Sequence, residues 1–151
     1  MNPPSHRFDS RLVGRIGRVS SFAVVEGAGT VTDGETTWPF HCTQISGGAR
    51  TVAVGTEVEF DIEAGLPGVW EAVRLRARPG QFLCPVCAAT VPGEPGGYDI
   101  CRSCKWEDDP VQRDDVDVSG ANVLPLRTVR DAAMQHLIEQ ETGELQPFAR
   151  G

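Results

Sequence analysis

Aromatic residues are scarce in this chain, at 7% of 151 positions, and lysine is almost absent, with one Lys against thirteen Arg. The arginine excess, beside plentiful Ala, Gly and Val, reads as codon usage rather than as a functional signal. No apolar run approaches the ~20 residues that cross a bilayer. The opening, MNPPSHRFDSR, lacks the apolar stretch of a signal peptide. No membrane partner is therefore expected, and the expected compartment is the cytoplasm. No constellation of nucleophile, base and orienting acid is recognisable, which speaks against an enzyme. Cysteines number five, and four of them form two CxxC pairs, a pattern of metal binding in a reducing compartment.

What charge there is divides unevenly. Residues 1–80 carry 8 basic and 9 acidic side chains, whereas residues 81–151 carry 6 and 12. Four thiolates on one dication would add further negative charge to the second half. That half is a poor candidate for gripping phosphates, so any contact with nucleic acid is expected in the first.

Residues 1–10 read as a disordered, polar lead-in. From residue 11 to 78 the chain reads as five short strands divided by Gly-rich turns: 13–23, 30–32, 37–45, 56–62 and 70–75. In the third, Trp38, Phe40 and Cys42 alternate with Pro39 and His41. In the fourth, Val58, Phe60 and Ile62 are expected inward and Glu57, Glu59 and Asp61 outward. Val73 and Leu75 form the inward pair of the fifth. A small five-stranded barrel would leave no open edge, which makes it the expected architecture. After a linker at Arg78-Pro79-Gly80, residues 82–145 hold the cysteine pairs, an acidic loop over 111–122, and a helix. Pro125 suits the first turn of that helix, Leu126, Val129, Ala133 and Leu137 form its apolar stripe, and Gly143 stops it.

Cys84-Pro-Val-Cys87 and Cys101-Arg-Ser-Cys104 are separated by 13 residues, with a Pro- and Gly-rich stretch over 92–97 to turn a hairpin between them. Two facing CxxC turns supply the four soft ligands of tetrahedral zinc, and four cysteines close the shell, so one structural Zn²⁺ is expected rather than a catalytic one. Paired disulfides or buried thiols are the alternative. Thioredoxin-type redox chemistry would need a CxxC at a helix start after a strand, and neither pair has that setting. Cys42 is expected to be a small core residue.

The cysteine segment continues as Gly97-Tyr98-Asp99-Ile100-Cys101, then Trp106-Glu107-Asp108-Asp109-Pro110-Val111-Gln112, then Ser119-Gly120-Ala121-Asn122 and Leu124-Pro125-Leu126. Together with Cys84-Pro85-Val86-Cys87, these pieces resemble the bacterial cysteine-rich CPCC family over about 45 residues. One departure is Val86, where the family's name motif has cysteine; the CxxC itself is intact. The resemblance implies a small zinc-ribbon-like module with no defined biochemical role. Glu107, Asp108 and Asp109 read either as a partner-binding or second-metal patch, or as a run that is solvated or caps a turn. Trp106 is expected to pack over the metal.

A second set of pieces resembles a divergent cold-shock domain, a five-stranded nucleic-acid-binding barrel. They are Gly17-Arg18-Val19-Ser20-Ser21-Phe22, Gly27-Ala28-Gly29-Thr30-Val31, Phe40-His41-Cys42-Thr43-Gln44-Ile45, Val54-Gly55-Thr56-Glu57-Val58-Glu59-Phe60 and Glu71-Ala72-Val73. The resemblance implies binding of single strands by base stacking. Ser21, Ala28, Thr30, Pro39 and Cys42 stand where that family carries aromatics. Phe22 and His41 are what remains of the platform, with Arg15, Arg18 and Arg50 available for phosphates. Phe22 and Phe40 also read as core residues, and His41 as a strand histidine that holds a turn. Two functions follow as expectations: weak, low-specificity binding of RNA or single-stranded DNA by the barrel, or a protein–protein adaptor using both modules, the acidic zinc module included.

Overall fold

The computed structural model describes residues 12–65 and 68–143. The lead-in expected over residues 1–10 lies outside them, as do the last two residues of the expected second unit, 144–145. Alternation of apolar and polar side chains produces five strands: β1 (Arg15–Ala23), β2 (Ala28–Thr32), β3 (Thr37–His41), β4 (Glu57–Ala64) and β5 (Trp70–Arg76). They form one antiparallel sheet in the order β3-β2-β1-β4-β5. Val19, Val31, Trp38, Phe40, Val58, Phe60 and Ile62 point to one side and make the first core. Gly17 lets β1 be gripped tightly between its neighbours, because a Cβ there would run into the Thr32 carbonyl and the Phe60 ring. The sheet therefore coils, and its two end strands, β3 and β5, come into contact.

The coiling stops short of the expected closed barrel. One parallel bridge, Ile45 to Leu75, joins the two ends, supported by the Ser46 amide donating to the Leu75 carbonyl at 2.8 Å. No ladder between β3 and β5 forms among the described residues. The third strand is also shorter than its alternation suggests. It ends at His41, whose Nδ1 accepts from the Thr43 amide at 3.2 Å and caps a 3-10 turn over Cys42–Gln44.

Asp61 lies opposite the core residues Phe60 and Ile62, on the outward side of β4 with Glu59 and Glu63, yet it is only 5% exposed because side chains cover it. The β4–β5 pairing slips between Glu59 and Asp61, which leaves an extra residue on β5. Arg74 lies in that bulge with φ +52°, and its Nε donates to Asp61 at 2.6 Å. Arg76 reaches the same carboxylate at 3.1 Å and Glu59 at 2.8 Å. Two guanidiniums, themselves open to solvent, thus lie over the carboxylate and compensate its burial.

Beyond Gly80, β6 (Gln81–Leu83) and β7 (Thr90–Pro92) form a hairpin, α1 (Pro110–Asp114) a single turn of helix, and α2 (Leu126–Thr142) the long helix. Gly143, at φ +81°, ends α2 as expected, while Pro125 precedes its first turn. Leu126 is buried in a second core, with Val129 and Ala133 packed against it. Leu137, the last position of the expected stripe, falls outside that cluster and is only partly buried. The two halves are tied together: Leu83 and Ala88 belong to the core of the five-stranded sheet. Among the described residues no helix is long and apolar enough to cross a membrane.

Candidate metal centre

Each CxxC pair sits in its own tight turn, and the two turns are built alike. In the first, the Cys84 amide donates to the Ala89 carbonyl and the Ala88 amide to the Cys84 carbonyl, both at 2.8 Å. In the second, the Cys101 amide donates to the Trp106 carbonyl at 2.9 Å and the Lys105 amide to the Cys101 carbonyl at 2.8 Å. The residue after each pair, Ala88 or Lys105, takes a left-handed backbone, with φ +63° and +71°. The first turn is the tip of the β6–β7 hairpin, and an Ile100–Glu107 bridge closes the base of the second. The stretch over 92–97 therefore connects two knuckles, and it is not itself the tip of the hairpin that the sequence suggests.

These turns bring the four sulfurs within 4.8 Å of one another. Cys84 Sγ lies 3.5 Å from Cys104 Sγ, and Cys87 Sγ lies 3.7 Å from Cys101 Sγ. A regular tetrahedron with metal–sulfur bonds of ~2.3 Å has edges of ~3.8 Å, so the spacing fits one metal ion. None of the four is in a disulfide. The crowding also splits their acidities. The contact with Cys104 pushes the Cys84 thiol far above its usual range, and the same neighbour pulls Cys87 down to about 2. Four thiolates this close repel one another, and a bound dication is the charge that would let all four ionise together.

Apolar packing closes the site from behind. Phe82, Val86, Val91, Trp106 and Leu126 surround the sulfurs. Val86 is 2% exposed, so an apolar side chain of modest size suffices where the family motif has cysteine. Cys42 stands apart in the first core, next to Gly27.

A polar scaffold braces the second knuckle, and the sequence reading missed it. Asp108 is 1% exposed, accepts from the Gly96 amide, and pairs with Arg113 Nε at 3.0 Å. Asp109 caps α1 through the Val111 amide at 2.8 Å and accepts from the Ala121 amide at 2.8 Å. Gln112, wholly buried, donates to the Val118 and Leu124 carbonyls and accepts from the amide and side chain of Asn122. Asn122 in turn clasps the backbone of Glu107 through both its N–H and its C=O. The acidic run thus caps a turn through Asp109, as one of its readings has it, and Asp108 and Asp109 are buried rather than solvated. Its signal was the Asp109-Pro110 pair, an N-cap followed by proline in the first turn.

The residues expected to meet nucleic acid are scattered. Phe22 stacks on Phe40, with ring centroids 5.9 Å apart, on the core side of the sheet. His41, one residue beyond buried Phe40, lies on the opposite, exposed face. A bulge between Val19 and Ser21 is the cause: it leaves Ser20 and Ser21 both outward and turns Phe22 in. Arg15 is also drawn inward, 3.2 Å from Asp33 and stacked 4.7 Å above the Trp38 ring. Arg18 remains on the exposed face and donates to the Gly55 carbonyl at 2.9 Å. Arg50 is exposed in the loop that leads to β4.

Residues 82–142 match the family model described as Cysteine-rich CPCC. The match takes in all four clustered cysteines, the Asp108–Asn122 scaffold and α2. It begins at Phe82, so the cold-shock resemblance of the preceding residues receives no support from it. No curated protein matches the chain.

Proposed function

We propose that the chain is a weak, low-specificity single-strand-binding protein whose CPCC-type segment carries one structural zinc ion. The observation that supports the binding role is the strand order. With β1 next to β2 and β4, and the segment after β3 meeting β5 in parallel, the sheet follows the circuit of a small, partly open OB-like barrel. The exposed face of β1–β3 presents Arg18, Ser20, Ser21, Thr30 and His41. With Phe22 turned inward, stacking would fall on His41 alone, and affinity would come mainly from charge. Zinc is the metal of this reading because four thiolates in a tetrahedron are its commonest structural site. A reducing compartment such as the cytoplasm suits this reading, because a thiolate site needs reduced cysteines, and no catalytic step is assigned.

The test is fluorescence anisotropy of labelled single-stranded RNA and DNA with the whole chain, at low and moderate salt. Binding that falls steeply with salt and weakens about fivefold or more in His41→Ala supports the reading. No binding at low salt ends it. An adaptor role is the second reading, and one feature favours it. An open groove beside Cys104 is lined by Trp106, Val123, Leu124 and Val129, with Val123 85% exposed.

A further inference from the structure

The four sulfurs of the metal centre are not equivalent. Cys84 and Cys101 are buried, whereas Cys87 and Cys104 are partly open to solvent. The contacts of 3.5 Å for Cys84–Cys104 and 3.7 Å for Cys87–Cys101 both run between knuckles. Each therefore pairs a buried sulfur of one knuckle with an open sulfur of the other. The Val86 amide donates to Cys84 Sγ at 3.4 Å and holds that sulfur in place.

The two open sulfurs also differ in setting. The tip of the first knuckle is Pro85-Val86, and both are buried. The tip of the second is Arg102-Ser103, both exposed, as is Lys105 just beyond Cys104. Lys105 is the chain's one lysine, and its Nζ folds back to donate to the Arg102 carbonyl at 3.1 Å. Neither cation is in an ion pair among the described residues. Cys104 also lies on the wall of the open groove formed with Trp106, Val123 and Leu124. A partly exposed sulfur beside cations is the setting in which a cysteine reacts. A second cysteine in contact with it turns the oxidation into a disulfide.

We propose that the centre is a redox switch, in which Cys104 meets a hydroperoxide and Cys84 resolves it into a disulfide between the knuckles. The inference rests on the zinc reading above, because a metal-held sulfur is a thiolate, the form that a peroxide oxidises. The Cys104 thiolate attacks one peroxide oxygen. An S–O bond forms, the O–O bond breaks, and the departing oxygen takes a proton from solvent. The Cys84 sulfur then attacks Cys104 Sγ. An S–S bond forms, the S–O bond breaks, and hydroxide leaves as water with a second proton. The two sulfurs have then lost two electrons, and the peroxide has gained them. Cys87 and Cys101 remain, and two thiolates do not close the shell of a zinc ion. Leu83 and Ala88, next to Cys84 and Cys87 in the chain, belong to the sheet's core, so the change is transmitted there.

The experiment starts from the full chain, with its zinc content measured by native mass spectrometry. One equivalent of hydrogen peroxide is added at neutral pH, and metal release is followed with a chromogenic chelator. Free thiols are then alkylated for peptide mapping. One zinc ion is expected to leave per disulfide formed, with Cys84 joined to Cys104. Cys42, buried in the first core, should remain a thiol throughout. Release should run about tenfold or more faster than peroxide oxidises free cysteine, whose thiol is mostly protonated at this pH. With dimedone present, the trapped sulfenate should be found on Cys104 and not on Cys84. A dithiol reductant with one equivalent of zinc should restore the loaded chain. A disulfide within a knuckle, sulfinic acid at Cys104 with no disulfide, or release no faster than free cysteine each overturn the switch. Zinc that is bound and retained under peroxide overturns the switch alone. A chain that takes up no zinc removes the metal reading and the switch with it.

Discussion

The carboxylate of Glu141, in the last turn of α2, accepts a 2.7 Å hydrogen bond from the backbone amide of Val24, just past the end of β1. The Val25 amide donates to its other oxygen at 3.1 Å. Two consecutive amides of a tight turn thus have their partner at the far end of the chain. With Arg130 clamped on Gly47 and Pro85, this makes α2 a brace laid over both halves, anchored by Leu126 in the second core. A helix of 17 residues spans roughly 25 Å, enough to reach from one core to the other.

Glu141→Ala is expected to release the end of that brace. The contact is partly open to water, so the cost should be modest, about 1 kcal/mol. Hydrogen exchange of the Val24 and Val25 amides is the sensitive measurement. Both should exchange faster while the strands β1 and β4 keep their protection; unchanged exchange would mean that the carboxylate does not hold the turn.

Asp61 gives the fold a defined acid limit. Burial alone would raise its pKa, but hydrogen bonds from Arg76, Arg74 and the Gly14 amide outweigh it and hold the carboxyl at about 2, below the ordinary 3.8. A depressed carboxylate stabilises the folded state above the unfolded pKa, and that stability disappears as pH falls through the folded one. The expected loss runs from about pH 4 down to about pH 2 and amounts to at most about 2 kcal/mol. Urea melts across that window should show it, and Asp61→Asn should flatten this component while lowering stability at neutral pH. A wild-type profile no steeper than that of Asp61→Asn contradicts the assignment.

How much of this was legible beforehand depends on whether the cause was local. Cys84, Cys87, Cys101 and Cys104 announce their site because a CxxC turn is closed by its own backbone, with no help from distant residues. The strands were legible for the same reason, since Val58, Phe60 and Ile62 alternate within eight residues of chain. The loss of Phe22 from the exposed face, the covering of Asp61 and the end of β3 were not legible because each hangs on an irregularity. Strict period two puts Phe22 outside; one extra residue at Ser20 reverses every side chain after it. Arg74 does the same on β5, and only the structure shows that a guanidinium waits there for Asp61. The Gln112–Asn122 clasp links residues ten apart through the Gln112 side-chain oxygen and the N–H groups of Asn122, a pairing that no local pattern reveals.

Gln112 is the residue on which the second knuckle's support converges. Its amide satisfies two carbonyls and its oxygen two N–H groups, from a side chain with no access to water. Gln112→Ala should cost about 2–3 kcal/mol, because it leaves a cavity and strips four partly buried groups of their partner, each worth about 1 kcal/mol or less where water can reach it. Gln112→Met fills the space and should recover little of that loss. Chemical denaturation distinguishes the two accounts: recovery by Met would make Gln112 a volume filler rather than a hydrogen-bonding hub.

Removing the metal tests the centre and the coupling of the two halves together. Cys104→Ser takes one corner from the tetrahedron, and the remaining three thiolates should not retain a zinc ion at equilibrium with a mild chelator. The knuckles should then open, and the loss should not stop at residue 82. Leu83 and Ala88 belong to the sheet's core, so the hairpin that carries Cys84 and Cys87 also seals one side of the sheet. Hydrogen exchange is expected to accelerate throughout residues 82–142, and at Ile45 and Leu75, which lie at the seam, while β1 and β4 remain protected longest. Cys42→Ala is the matched control, because Cys42 is buried among sheet residues and makes no part of the sulfur cluster. It should leave metal content at one ion per chain by native mass spectrometry and lower stability only by the small cavity it creates. Retention of the ion by Cys104→Ser, or its loss in Cys42→Ala, would each show that the four-sulfur assignment is wrong.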